Sequence, residues 1–199
     1  VGSALSTSSA PKVIRSQESI QEGTASVKLE ASGEREELYY VYAKGKLYDV
    51  CTAINTAVKT ADENLGVVVD GNLQNIWERG NKVTKLTLDT STFPDVIRNG
   101  SMDVAAIEEG TGRKALDLSG CTLDSVLYYV SEGTPVLAKT PITDQTPQGI
   151  VIIAGYDEYN TILMNPGETE TFYYGINDST ALFEEAGNVF MTYWDPISD

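Results

Sequence analysis

The sequence predicts an α+β protein with a mainly antiparallel sheet, and three observations carry that reading. Short β-branched and aromatic runs such as "YYVY" and "GIVIIAGY" are bounded by glycine, proline or Asx residues, as strands are. Toward the C-terminus, segments with helical spacing and strand-like runs follow one another as helix, strand, hairpin, strand, helix, strand, an order that suits hairpin pairing better than parallel crossovers. The hydrophobic fraction of 41% over 199 residues is that of a folded chain long enough to bury a proper core.

Residues 1–36 are rich in Ser, Thr, Glu and Gly, the composition of a linker or an extended arm. Within them "ASVKLEAS" (Ala25 to Ser32) is expected to add an edge strand. The opening "VGSALSTSSAPKVIRSQ" lacks the apolar middle of a signal peptide and reads as a boundary inside a longer precursor. A small β-α-β-β unit is expected over 37–88. Its first strand is the run Tyr39, Tyr40, Val41 and Tyr42, bounded by Gly45. In "YDVCTAINTAVKTADEN", Val50, Ile54, Ala57, Val58 and Ala61 share one helical face, with Asp49 as N-cap. Val67 to Val69 reads as a short buried strand, Asp70-Gly71 as a turn, and Asn75 to Glu78 as the returning strand.

A second unit is expected over 89–199. "STFPDVIRNGSMDVAAIEEGTG" is punctuated by Pro94, Gly100 and Gly110 and holds two short helical pieces, the second capped by Ser101. Thr122 caps a helix whose apolar face is Leu123, Val126, Leu127 and Val130, and Gly133 ends it. Pro135 blocks continuation and "PVLA" opens a strand. "GIVIIAGY" and "TILMNP" form a hairpin, "ETFYYGI" another strand, "NDSTALFEEAG" a capped helix and "NVFMTYW" the last strand.

Charge and composition narrow the partners. With 29 acidic against 14 basic residues and a net charge of −15, the surface repels phosphate backbones and anionic lipid heads, so neither nucleic acid nor membrane insertion is expected. No apolar run approaches the roughly 18 residues needed to cross a bilayer. Two cysteines, Cys51 and Cys121, are too few for a disulfide framework; they either pair or stand as separate buried thiols. There is no histidine at all. With two thiols and no imidazole a zinc site is close to excluded, and no metal or cofactor is expected. Asp70–Glu78 lacks the alternating ligands of an EF-hand loop. The phosphate-binding "GxxxxGK[ST]" loop and the "GxSxG" elbow are both missing. The pairs Glu108-Glu109 and Glu184-Glu185 fall on helices, where neighbours point apart, and read as solvated faces.

The order "EGTPVLA" (Glu132 to Ala138), "GIVIIAGYD" (Gly149 to Asp157), "NP" (Asn165-Pro166) and "STALFEEAGNVFMTY" resembles the C-terminal half of C39-like peptidases, papain-like enzymes of the bacteriocin-processing type. The resemblance covers roughly residues 115–195 and implies a papain-like half-domain. In that family a histidine opens the strand matching "GIVIIAGYD" and an aspartate ends its partner. The matching positions here are Gly149 and Asn165. Asparagine could still orient an imidazole, but glycine cannot replace one. The nucleophile's context, a glutamine upstream and a glycine after the cysteine, is also missing around Cys51, which Thr52 follows. The segment "YVYAKGKL…AI…AD…GVVVD…WERG" resembles the region preceding such domains in large surface proteins of Gram-positive gut bacteria.

These likenesses imply a non-catalytic pseudo-peptidase module at the cell surface or outside the cell, acting in binding or architecture. The alternative is an active cysteine peptidase or acyltransferase. It would use Cys51, placed in a helix's first turn where the dipole would lower its pKa, with a partner such as Asn165. Tyrosines and tryptophans cluster as Tyr39, Tyr40 and Tyr42; Tyr128 and Tyr129; Tyr156 and Tyr159; Tyr173 and Tyr174; Tyr193 and Trp194. Adjacent strand residues face opposite sides, so one ring of each doublet is expected to face out. Tyr156, Tyr159 and Trp194 are the candidate contacts for a protein or glycan ligand. Cross-strand packing is the competing role of these rings, and self-association is left open.

Overall fold

The computed structural model describes residues 37–79 and 85–194. The strand expected at Ala25 to Ser32 lies outside them. The described chain is α+β, and all of its strand pairs are antiparallel.

The first sheet holds β1 (Tyr39–Ala43), β2 (Lys46–Cys51), β3 (Val67–Val69) and β4 (Asn75–Glu78), in the order β2-β1-β3-β4. Strand β2 corrects the expected β-α-β-β order to β-β-α-β-β. Lys44 and Gly45 both have positive φ, 56° and 79°, which is the geometry of a two-residue turn that sends the chain straight back along β1. Asp49 and Val50 therefore lie in a strand, with Val50 opposite Tyr40 and 44% exposed, not on a helix. Helix α1 (Ile54–Glu63) begins later. Ala53 stands at its N-cap without a side-chain bond, and Ile54, Ala57, Val58 and Ala61 form its buried face.

The larger sheet has seven strands: β5 (Lys85–Thr87), β6 (Lys114–Asp117), β7 (Val136–Lys139), β8 (Ile150–Asp157), β9 (Asn160–Met164), β10 (Thr171–Gly175) and β11 (Phe190–Trp194). They run in the order β10-β9-β8-β7-β11-β6. β8 pairs with β7 along Ile150 to Ile153 and with β5 along Gly155 to Asp157. Sheet membership changes between Glu78 and Lys85, ahead of residue 88, where a subdomain boundary was expected. One core runs through both sheets, so the two expected units are two sheets of one compact body.

Helices cover the larger sheet on both faces. Val151 and Ile153 join a core with α4 (Leu123–Ser131), α5 (Ile176–Glu185) and the inner face of the small sheet. Ile152 and Ala154 face a second cluster with Phe93, Ile97 of α2 (Asp95–Arg98) and Ile107 of α3 (Val104–Thr111). A strand packed on both faces reads as a continuous apolar run, which is why "IVIIAGY" does not alternate. Reciprocal bonds tie the small sheet to α4. Trp77 Nε1 of β4 donates to the Ser125 carbonyl of α4 at 2.9 Å, and the Tyr129 hydroxyl of α4 donates to the Ile76 carbonyl at 2.8 Å. Thr122 caps α4, accepting from Ser125 N. The cap of α3 is Asp103, which accepts from Ala106 N at 2.9 Å, in place of the expected Ser101. The reason is register: the helix starts at Val104, so Asp103 is the residue with extended backbone and a carboxylate in reach of the first free N–H groups.

Candidate functional site

Gly149 immediately precedes β8 and Asn165 follows β9. Because Met164 lies opposite Ile152 in the antiparallel register, the two positions fall at the same end of the hairpin. A turn over Thr140–Gly149 folds onto this end. Thr140 N donates to the Gly149 carbonyl and Gly149 N to the Thr146 carbonyl. The Thr140 and Thr146 hydroxyls both donate to the Pro141 carbonyl at 2.8 Å, and the Thr143 and Thr146 hydroxyls bond each other. Two attachments fix the turn to the end of β9: Asn165 Nδ2 donates to the Gln145 carbonyl at 2.9 Å, and Gln148 Nε2 donates to the Pro166 carbonyl at 2.9 Å. Beneath, Gly167 N donates to the Arg98 carbonyl, and Pro166 packs so closely on Gly100 that a Cβ there would lie 2.6 Å from it.

The backbone at position 149 favours glycine. Gly149 has φ +71°, and an added Cβ would sit 3.3 Å from the Thr140 carbonyl oxygen and 3.4 Å from Ile142 Cγ1. A histidine there meets both strain and crowding. Asn165 is buried, and its Oδ1 has no hydrogen-bond partner. The turn residues Gln145 and Gln148 went unread in the sequence. The signal that could have found them is the repeated Thr-Pro of "TPITDQTPQG", since each proline forces its predecessor into extended backbone and marks a built loop.

Cys51 is not in a helix's first turn. It ends β2, 6% exposed, with its Sγ 3.9 Å from Asp49 Oδ2. Burial, then the neighbouring Asp49 carboxylate, pushes its thiol up to about 12, opposite to the lowering expected from a helix dipole. Cys121 is 1% exposed, donates to the Asn55 carbonyl at 3.7 Å, and is likewise pushed up to about 12, chiefly by burial. Both are free thiols. Cys51 and Asn165 have different partners, Asp49 and Gln145, and the structure shows no hydrogen bond between them.

The aromatic candidates separate. Tyr159, at the β8–β9 turn, is 71% exposed, whereas Tyr156 on β8 is only 6% exposed and faces the core. Tyr156 therefore presents no outward ring, because β8 is covered on both sides. Trp194 is half-buried, edge-on to Tyr129 with centroids 6.3 Å apart. Tyr128 and Tyr129 lie on α4, not on a strand, and both are buried. Tyr173 on β10 is 57% exposed. At the hairpin turn Asp157 Oδ1 accepts from Tyr159 N and Asn160 N, and these bonds hold its carboxyl below the ordinary aspartate range. Asp70 Oδ1 accepts from Asn72 N and Gln74 N, a self-contained turn.

No family model and no curated protein matches the chain. One solved structure does. It is the crystal structure of a candidate C39-like peptidase from Bacillus anthracis, 17% identical, with a TM-score of 0.40 over 48% of this chain and 58% of that one. The chain thus spans little more than half the length of that protein.

Proposed function

We propose that this chain is a non-catalytic, pseudo-peptidase module that acts by binding or as surface architecture. The observation that carries the reading is the state of the two thiols in a chain without an imidazole. Both are buried and pushed up to about 12, so near neutral pH each is a protonated thiol and a poor nucleophile. The Gly149–Asn165 end supports it. In the resemblance read from the sequence Gly149 stands where that family has its histidine, and its φ of +71° is a backbone conformation that side chains rarely adopt. A protein or glycan ligand suits an acidic module with exposed Tyr159 and Tyr173 rings better than nucleic acid does. An extracellular or cell-surface location accompanies the reading, through the likeness of the first unit to segments of surface proteins.

The test is alkylation by iodoacetamide across pH. Both thiols are expected to label slowly at pH 7 and to accelerate only well above the free-thiol range of about 8.5. A thiol titrating below that value, together with peptide cleavage abolished by Cys51→Ser, would replace this reading with an enzymatic one.

A further inference from the structure

We propose that Asn165 is the recognition group of an amide-binding site closed by the 140–149 turn. Its ligand is an extended peptide residue that presents its own N–H and C=O on one edge. The proposal rests on the reading of this end of the hairpin as a binding site rather than a catalytic one. A side-chain amide carries a donor and an acceptor, and here only the donor is used, by Nδ2 bonding the Gln145 carbonyl at 2.9 Å. Oδ1 is buried without a partner, a state that folded proteins rarely leave uncompensated. The group that holds Nδ2 is itself a main-chain carbonyl, so the turn supplies half of a peptide edge and lacks the N–H. An extended residue supplies both halves. The other side-chain bonds of the turn, among Thr140, Pro141, Thr143 and Thr146, are internal to it and do not hold it to the end of β9. Besides Asn165, the side-chain latch across the gap is Gln148 on the Pro166 carbonyl. Both recognition atoms are neutral, so the contact selects backbone rather than charge.

The side-chain amide signals of Asn165 in the ¹⁵N-labelled protein are followed while acetyl-alanine-N-methylamide is added. A saturable shift in the millimolar range is expected. Gln148→Ala, an exposed position, releases the latch and should tighten apparent affinity roughly three- to ten-fold, the worth of one hydrogen bond. The ester analogue, with oxygen in place of the alanine N–H, should bind about ten-fold more weakly, because Oδ1 then stays unsatisfied. Three results overturn the proposal. One is no saturable shift in either protein, and another is equal response to the ester. The third is a crystal at saturating probe showing only an ordered water on Oδ1 beneath an unmoved turn. Probe binding and thiol alkylation are read separately, so this proposal and the non-catalytic reading can each fail alone.

Discussion

Two hairpins of this molecule are built alike and live in opposite surroundings. β1–β2 and β8–β9 are both antiparallel, and each is interrupted by one register shift. Yet β2 is exposed along its length except at Cys51, while β8 is buried throughout its middle and β9 from Thr161 to Met164. The difference lies in what covers them. β8 has one core on the side of Val151 and Ile153 and another on the side of Ile152 and Ala154, whereas β2 borders its sheet and buries only Cys51. Strand geometry is thus indifferent to burial, and the layers on either side decide what each residue is worth.

Truncation at matched positions should expose that difference most strongly. Ile153 lies opposite Val136 on one side and Leu163 on the other and is fully buried. Ile153→Ala is expected to cost about 2–5 kcal/mol, because the transfer energy is lost and the surrounding strands cannot close the gap. Val50→Ala, on the exposed strand, is expected to stay within about 0.5 kcal/mol. Urea unfolding of both variants measures the contrast, and similar losses would mean that β2 is covered in solution by something the described residues do not supply.

The same contrast explains how much was legible in the sequence. "GIVIIAGY" and "TILMNP" were readable because two-sided burial leaves an uninterrupted apolar run, and the α4 helix because Thr122 and Gly133 bracket it with cap and stop. β2 was not, because "KLYDVC" has neither a clean alternation nor a continuous run. Its Val50 happens to stand four residues before Ile54, at helical spacing. β5 and β6 escaped notice for another reason: three or four residues are too few for a period to show. In the candidate site, Gly149 and Asn165 were found through motif order. Their enclosure by Gln145 and Gln148 depends on a ten-residue turn meeting the far end of β9, a contact between positions 20 and 18 residues apart that no local pattern encodes.

The cysteines carry the comparison into pH. Cys51 closes the exposed hairpin and Cys121 sits against α1. An unfolded thiol ionises near 9, while both folded thiols hold their protons up to about 12. Between those values the unfolded chain releases protons that the native chain keeps. Their contribution is therefore complete below pH 9 and is lost as pH rises toward 12. The loss is on the order of 1–2 kcal/mol per thiol once solvent screening is allowed for. Tyr39, Tyr128 and Tyr129 are also raised by burial and act in the same direction, so the measurement is a difference. Thermal midpoints of the parent and of the Cys51→Ala/Cys121→Ala variant are compared from pH 8 to 11. The variant is expected to show the shallower decline, with Cys121 responsible for the larger share as the more deeply buried thiol. Parallel declines would remove the thiols from the account.

The smallest effect separates the helices beneath the two hairpins. α3 packs Ile107 into the cluster that supports Ile152 and Ala154 of β8, and its first turn is capped by Asp103. α1 supports the first hairpin, and its N-cap Ala53 offers no side-chain oxygen although its φ of −122° and ψ of 135° suit one. Asp103→Ala should therefore destabilise by about 1 kcal/mol, and Ser101→Ala by only a few tenths. Ala53→Asp should do the reverse, adding about 0.5–1 kcal/mol, since it satisfies free N–H groups and places negative charge at the helix's positive end. Position 53 is exposed, so the carboxylate stays solvated and the gain is not offset by burial. If Ser101→Ala costs more than Asp103→Ala, helix α3 starts two residues earlier in solution. If Ala53→Asp destabilises, the junction between β2 and α1 is set by strand pairing rather than by the helix.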